Sequence, residues 1–301
     1  MELPNLFPHP LVRPDYVISD SAFGLYHNSL AYLFDKSSGY HTEGVIISPG
    51  VDVLETQIKS VAALFTCPAE CPMIPSDDKL FSREGRVKYR CGECFIIGMI
   101  CRMAKEKAVG LFLQAAAVIA EKCPLCRFVI AGDGPLRHHL ETLAYALGLE
   151  NRVQFVGWVA KDDIAVLLSG WDVIVNTGAW REIFNGANLD ALSVALPLVT
   201  YAAGGVGEYI ADPSLTDQTP VLQYISKFRS YDGMPIALSE NALIVQNTTP
   251  EALALGVMFL KDHNDIRSSI GYNGMKTVEK YFQISRTMLA YQNLFYRILS
   301  P

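Results

Sequence analysis

From Phe95 onward, short β-branched and apolar runs alternate with segments of helical period, and this alternation most narrows the folds open to the chain. Strand-length runs fall at Phe95–Ile100, Phe128–Ala131, Val153–Val156, Val173–Val175, Leu198–Thr200 and Leu243–Val245. Helix-period segments separate them at Lys107–Lys122, Leu136–Leu147, Asp162–Leu168, Asn188–Ala195 and Gly205–Ile210. Parallel neighbours need a connection long enough to return to the same end of the sheet, so this order implies βαβ crossovers. The expected fold is α/β, a Rossmann-like doubly wound parallel sheet. Such sheets bind ligands beyond the carboxyl ends of their strands, where loops meet helix N-termini.

The segment before Phe95 reads differently. A strand at Tyr16–Ser19, a helix at Ala22–Leu33 and a strand at Val45–Ile47 make one βαβ unit, too small to cover both faces of a sheet. Residues 51–90 combine a helix around Val53–Leu64 with a Pro-, Cys- and charge-rich stretch and read as a linker. Residues 212–240 read as a long loop-like excursion, and two or three helices close the chain, the last at Ser285–Leu299. The expected division is a fragment over 1–50, a linker over 51–90, the sheet domain over 91–284 and a terminal helix over 285–301.

Composition narrows the function. Half of the 301 residues are apolar, enough for a sizeable core. A net charge of -6 and the lack of any Lys/Arg cluster oppose nucleic acid as a partner, because phosphate backbones are gripped by clustered cations. The longest apolar runs fall far short of the roughly 18 to 20 residues that span a bilayer, so no transmembrane segment is expected. The first residues carry neither a basic region nor a continuous apolar stretch of the secretory kind, and a cytoplasmic address is expected.

Five segments carry chemistry, each after a strand or at its end. Arg102 and Lys107 flank the first strand-to-helix turn, where cations and helix-end amides can share a diphosphate. Gly132 and Gly134, in Gly-Asp-Gly-Pro, permit a tight turn and close backbone approach. They do not form the three-glycine dinucleotide fingerprint, which disfavours a nicotinamide-dependent oxidoreductase. Trp158 follows a strand ending in glycine and can face a nucleobase or simply sit at the rim. In Glu-Ile-Phe-Asn-Gly-Ala-Asn-Leu-Asp, Glu182 falls in a loop and Asp190 in the next helix, with seven residues between them. Both carboxylates can accept hydrogen bonds from sugar hydroxyls, while the amides from Asn185 through Gly186 to Asn188 face phosphate; Asp190 can instead serve the helix dipole. Gly204 and Gly205 expose backbone amides to an anion.

Taken in order, these segments resemble the donor domain of glycosyltransferase family 4, retaining enzymes of the two-domain GT-B fold. The matching stretches are Cys-Arg-Met with Glu-Lys-Ala, Gly-Asp-Gly-Pro, Val-Gln-Phe-Val-Gly, Glu-Ile-Phe-Asn-Gly through Asp190-Ala191, and Gly-Gly-Val-Gly-Glu, across about residues 95–245. The fragment from Tyr16 and the run from Val45 to Asp52 resemble the last βα unit of the family's first domain and its crossover. The resemblance implies a nucleoside diphosphate sugar as donor, an unidentified acceptor and a complementing N-terminal domain. It implies no metal or other cofactor: Arg102 and Lys107 neutralise the donor diphosphate. Glu182 is then the catalytic contact to the donor sugar and Asp190 the ribose contact. Gly132, Gly134, Trp158, Phe184, Asn185, Gly186, Gly204 and Gly205 complete the donor site. The chain departs from the family at Asp190 for Glu, Asn185 for Gly and Ala108 for Gly, so a non-catalytic nucleotide-sugar-binding or scaffold protein is the alternative.

The seven cysteines include Cys67-x3-Cys71 and Cys91-x2-Cys94, whose spacing approximates a structural zinc site, and Cys123-x2-Cys126. The favoured reading is reduced packing or linker cysteines. His138 and His139, on the helix after Gly-Asp-Gly-Pro, read as exposed helix residues rather than ligands.

Overall fold

The computed structural model describes residues 16–19, 43–46, 94–178, 185–201, 206–210 and 231–299. Strands β1 (Tyr16–Ser19) and β2 (Glu43–Ile46) pair in parallel, with Tyr16 opposite Glu43. The parallel pairing is what a βα unit requires; its expected helix at Ala22–Leu33 and the linker lie outside the described residues.

A second sheet has seven strands: β3 (Phe95–Ile100), β4 (Cys126–Ala131), β5 (Val153–Gly157), β6 (Val173–Asn176), β7 (Leu198–Tyr201), β8 (Ile236–Leu238) and β9 (Ala242–Val245). Their order is β5-β4-β3-β6-β7-β9-β8, parallel except for β8, which runs antiparallel to β9. Strand β8 corrects the reading of residues 212–240 as loop throughout. Three residues are too few for periodicity to mark, and β9 supplies the partner that defines them.

The chain steps outward from β3 to β5, then returns to the other side of β3 for β6. Strand order reverses there, and the crevice of a doubly wound sheet opens at that point. The pairing marks it: β3 matches β4 along all six residues but meets β6 only at Ile97 with Val173 and Gly98 with Ile174.

Alternating side chains build one core on each face. On the first face, Ile97, Met99, Phe128, Ile130 and Val199 pack with Phe112 and Leu113 of α1 (Val109–Lys122), Leu140 of α2 (Arg137–Ala146) and Leu253 and Leu260 of α6 (Pro250–Asp262). On the second, Ile96, Val129, Ile174, Leu198 and Ile244 pack with Leu168 of α3 (Lys161–Ser169) and Leu189 and Leu192 of α4 (Gly186–Ser193). Tyr209 of α5 (Gly207–Ile210) and Val278 of α7 (Asn264–Tyr281) complete it. Each such large side chain contributes about 1.5–3 kcal/mol on burial. Pro250 at the first position of α6 and the Thr249 hydroxyl, which accepts from the Ala252 N–H at 3.2 Å, fix that helix start. The last helix, α8 (Ile284–Leu299), buries Leu294 and leaves Ile284, Met288, Phe295 and Leu299 exposed. No helix among the described residues is long and apolar enough to cross a membrane.

Candidate functional site

Two helix N-termini flank the crevice from opposite faces of the sheet: α1 after β3 and α4 after β6. The loop from β3 is pinned by buried Met103 and Ala104, while Arg102 just before them is exposed. Periodicity starts the helix at Lys107, but the structure does not. Lys105–Lys107 form a 3₁₀ turn, with the Lys107 N–H donating to Ala104 O at 3.1 Å and the Ala108 N–H to Lys105 O at 3.2 Å. Ala108 then takes a left-handed conformation, φ 47°, and α1 starts at Val109 with no side-chain cap. This is where the family pattern has Gly, and the backbone shows why: only a residue without Cβ adopts that φ freely.

Thr177, directly after β6, holds the turn across the crevice. Its hydroxyl donates to Lys107 O at 2.7 Å and lies 3.3 Å from Ala108 O. Sequence reasoning missed Thr177, because a lone Thr at a strand end carries no signal until the neighbouring strand is known.

On the opposite face, Asn185 is the N-cap of α4: its side-chain oxygen accepts from the Ala187 N–H at 3.0 Å. With φ -114° it needs no glycine, which explains how Asn stands where the family has Gly. Gly186 is the first residue of α4, so the helix starts two residues before the expected Asn188. Asp190 is the fifth residue, outside the first turn, and the helix-dipole role does not apply to it. Burial raises its carboxyl above the usual range, and the Lys161 ammonium at the start of α3 pulls it partly back. A desolvated carboxylate is a strong hydrogen-bond acceptor.

Gly132 and Gly134 lie in the turn after β4 with their backbones against the β3 loop. A Cβ on Gly132 would run into Cys101 O, and one on Gly134 would lie 2.5 Å from Met103 O. The two turns interlock through Met103 N–H to Asp133 O at 2.9 Å and Leu136 N–H to Met103 O at 3.0 Å, while the Gly132 N–H donates to Gly157 O at the end of β5 at 2.6 Å. Their close approach therefore serves the Arg102 loop. Trp158 is 76% exposed beyond β5. Arg137, which sequence reasoning passed over, bonds Glu141 at 2.8 Å and Asp133 at 3.3 Å. Its guanidinium lies over the Gly157 turn, 3.1 Å from where a Cβ there would sit. His138 and His139 are exposed on α2.

Glu182, Phe184, Gly204, Gly205, Cys67, Cys71 and Cys91 lie outside the described residues. Among the described residues no His, Cys, Asp and Glu cluster could hold a metal. Cys94 is half-buried, and Cys123 and Cys126 are packed at the far end of α1. Burial and the Cys123 contact push the Cys126 thiol well up, which makes it inert.

Residues 86–219 match the family model of glycosyl transferases group 1. Alpha-D-kanosaminyltransferase of Streptomyces kanamyceticus is 32% identical over 137 residues, 46% of this chain and 35% of that protein. A phosphatidylinositol N-acetylglucosaminyltransferase subunit of Arabidopsis thaliana is 26% identical over 209 residues, 68% of this chain and 44% of that one. The chain thus spans less than half the length of either. Among solved structures, a glycosyltransferase from Rickettsia africae superposes with a TM-score of 0.67 at 17% identity, covering 95% of this chain and 64% of that one. HepE from Anabaena, in complex with UDP and glucose, gives 0.62 at 19% identity, covering 95% and 63%. The chain shares the fold of these GT-B proteins.

Proposed function

We propose that the crevice between β3 and β6 binds a nucleoside diphosphate sugar, and that the chain is the donor-binding half of a retaining family 4 glycosyltransferase. It works with an N-terminal acceptor domain on an acceptor yet to be identified. The observation that supports this most is the flanking of one strand-order reversal by the Arg102–Lys107 turn on one face and the capped N-terminus of α4 on the other. A diphosphate needs cations and inward-pointing amides from more than one element, and that edge supplies both.

In this reading Arg102 and Lys107 stabilise the charge that builds on the departing diphosphate as the glycosidic bond breaks. The anomeric carbon passes through an oxocarbenium-like state, and electrostatic stabilisation of the leaving group carries most of the acceleration. The side chains themselves take the place of a metal. Asp190 accepts from the ribose hydroxyls, Glu182 contacts the transferred sugar and Trp158 offers its face to the base. The relatives whose names specify glycosyl transfer, and the neighbour that holds UDP and glucose, support the same donor class.

Isothermal titration with UDP-, GDP- and ADP-sugars tests the reading. One of them should bind, and Lys107→Ala should weaken it by more than tenfold with the melting temperature unchanged. If none binds, the assignment is wrong. Binding without hydrolysis or transfer, even with an N-terminal domain supplied, would leave a non-catalytic nucleotide-sugar binder.

A further inference from the structure

Strand β6 ends in Asn176, and Thr177 follows it; both are polar and buried, 3% and 0% exposed, after three apolar residues. Burying a polar side chain costs free energy unless it is bonded, and both are bonded to backbone. Asn176 Oδ1 accepts from the Gly178 N–H at 2.9 Å and closes the turn that leaves β6. Thr177 reaches the other side of the strand-order reversal instead, where its hydroxyl donates to Lys107 O at 2.7 Å, 70 residues away in sequence.

The loop it reaches is tied at both ends. Its start is held to the β4 side by the Cys101 N–H to Ala131 O at 3.0 Å and the Met103 N–H to Asp133 O at 2.9 Å, and its end is held from the β6 side by Thr177. Ala108 at that end sits at φ 47° and ψ 39°, which an L-residue adopts only at a cost, so the turn keeps this shape where its surroundings compensate. The bond to the preceding carbonyl, with Ala108 O 3.3 Å from the same hydroxyl oxygen, is such a compensation. This turn sets where Lys107 leaves the backbone. It also sets the direction of the first N–H groups of α1, which helix geometry leaves without intrahelical acceptors.

We propose that Thr177 is a positioning residue for donor binding: its hydroxyl holds the Lys107–Ala108 turn in the backbone shape that takes a diphosphate, and offsets the alanine that stands where a left-handed turn favours glycine. Thr177 is fully buried and touches no ligand, so it acts only through that backbone. The inference rests on the donor reading above and adds to it a residue outside the motifs that suggested that reading. Without the hydroxyl the binding-competent turn is only partly populated, and the apparent Kd rises by the inverse of that population. Loss of one such bond corresponds to a competent fraction of about one-tenth.

The test compares Thr177→Val, which keeps the side-chain shape and removes the hydroxyl, with Thr177→Ser, which keeps the hydroxyl. UDP, GDP and ADP are titrated into the full chain, with the matching nucleosides as controls, at a temperature where melts show each variant folded. Wild type should bind one diphosphate. Thr177→Val should bind it about tenfold more weakly and the nucleoside equally well, while Thr177→Ser should bind both within about twofold of wild type. In an Ala108→Gly background, where the left-handed turn carries no Cβ strain, Thr177→Val should weaken the diphosphate by less than about threefold. If Thr177→Val does not fold, Thr177→Cys, which keeps a weak donor, is read in its place with the same direction expected. Diphosphate affinity equal to wild type, equal losses for diphosphate and nucleoside, or a loss undiminished by Ala108→Gly would each overturn the inference and leave the donor reading standing. Failure of wild type to bind any of the three diphosphates would overturn both.

Discussion

Substituting Gly132 by Ala separates a packing role from a phosphate-binding role for the Gly-Asp-Gly-Pro turn. At φ 118° an L-residue is strained, a cost of about 1–3 kcal/mol. The new Cβ would also press on Cys101 O, which belongs to the backbone and cannot rotate away. Relief requires the β3 and β4 turns to separate. That puts at risk three hydrogen bonds: Cys101 N–H to Ala131 O at 3.0 Å, Met103 N–H to Asp133 O at 2.9 Å and Leu136 N–H to Met103 O at 3.0 Å. Each contributes about 0.5–1.5 kcal/mol net. With one of them lost in addition to the strain, the expected destabilisation is about 2–4 kcal/mol. Urea unfolding followed by tryptophan fluorescence measures it, since Trp171 is buried against the same sheet. A midpoint equal to that of wild type would refute the interlocking-turn argument. A loss of diphosphate affinity at unchanged stability would return Gly132 to the ligand.

Ala108→Gly removes a left-handed alanine and should raise stability by up to about 1 kcal/mol, the strain relieved less the extra chain entropy of glycine; thermal melts read the sign. Asp190 has a folded-state pKa above its unfolded value, so the folded chain binds protons more readily there. Its ionisation therefore opposes folding, and stability should rise as pH falls from that raised pKa toward the ordinary carboxylate range. Asp190→Asn should abolish that slope and be at least as stable at neutral pH, as urea titrations at several pH values would show. Tyr209→Phe leaves the buried Asn188 amide without the 2.6 Å acceptor it has on α5, and should cost about 1–3 kcal/mol in urea unfolding.

The strands were legible because a sheet covered on both faces reads as continuous apolar runs. Ile97 and Ile96 point to opposite faces, yet both are buried. Strand β4 nevertheless starts at Cys126, two residues before the expected Phe128: a reduced buried Cys behaves as a small apolar residue, although it reads as a chemical one. The misplacement of Lys107 has a different origin. Alanine is the strongest helix former, so Lys-Ala-Val-Gly reads as uninterrupted helix, and nothing local signals that Ala108 is left-handed. Thr177 was invisible for a related reason, since its meaning lies in a strand distant in sequence from the turn it holds.

The hydroxyl of Thr177 resolves the apparent conflict at Ala108. A left-handed alanine persists only where its surroundings over-determine it, and the bond from Thr177 to Lys107 O comes from across the strand-order reversal. The same bond fixes Lys107 relative to β6 as well as to β3. The backbone that carries the cation is thus positioned by a contact that exists only once β3 and β6 lie side by side. Family-like motifs on the separate segments cannot create that geometry. Its expression is the fold's own topology, which makes the departure at Ala108 tolerable where an isolated βα turn would reject it.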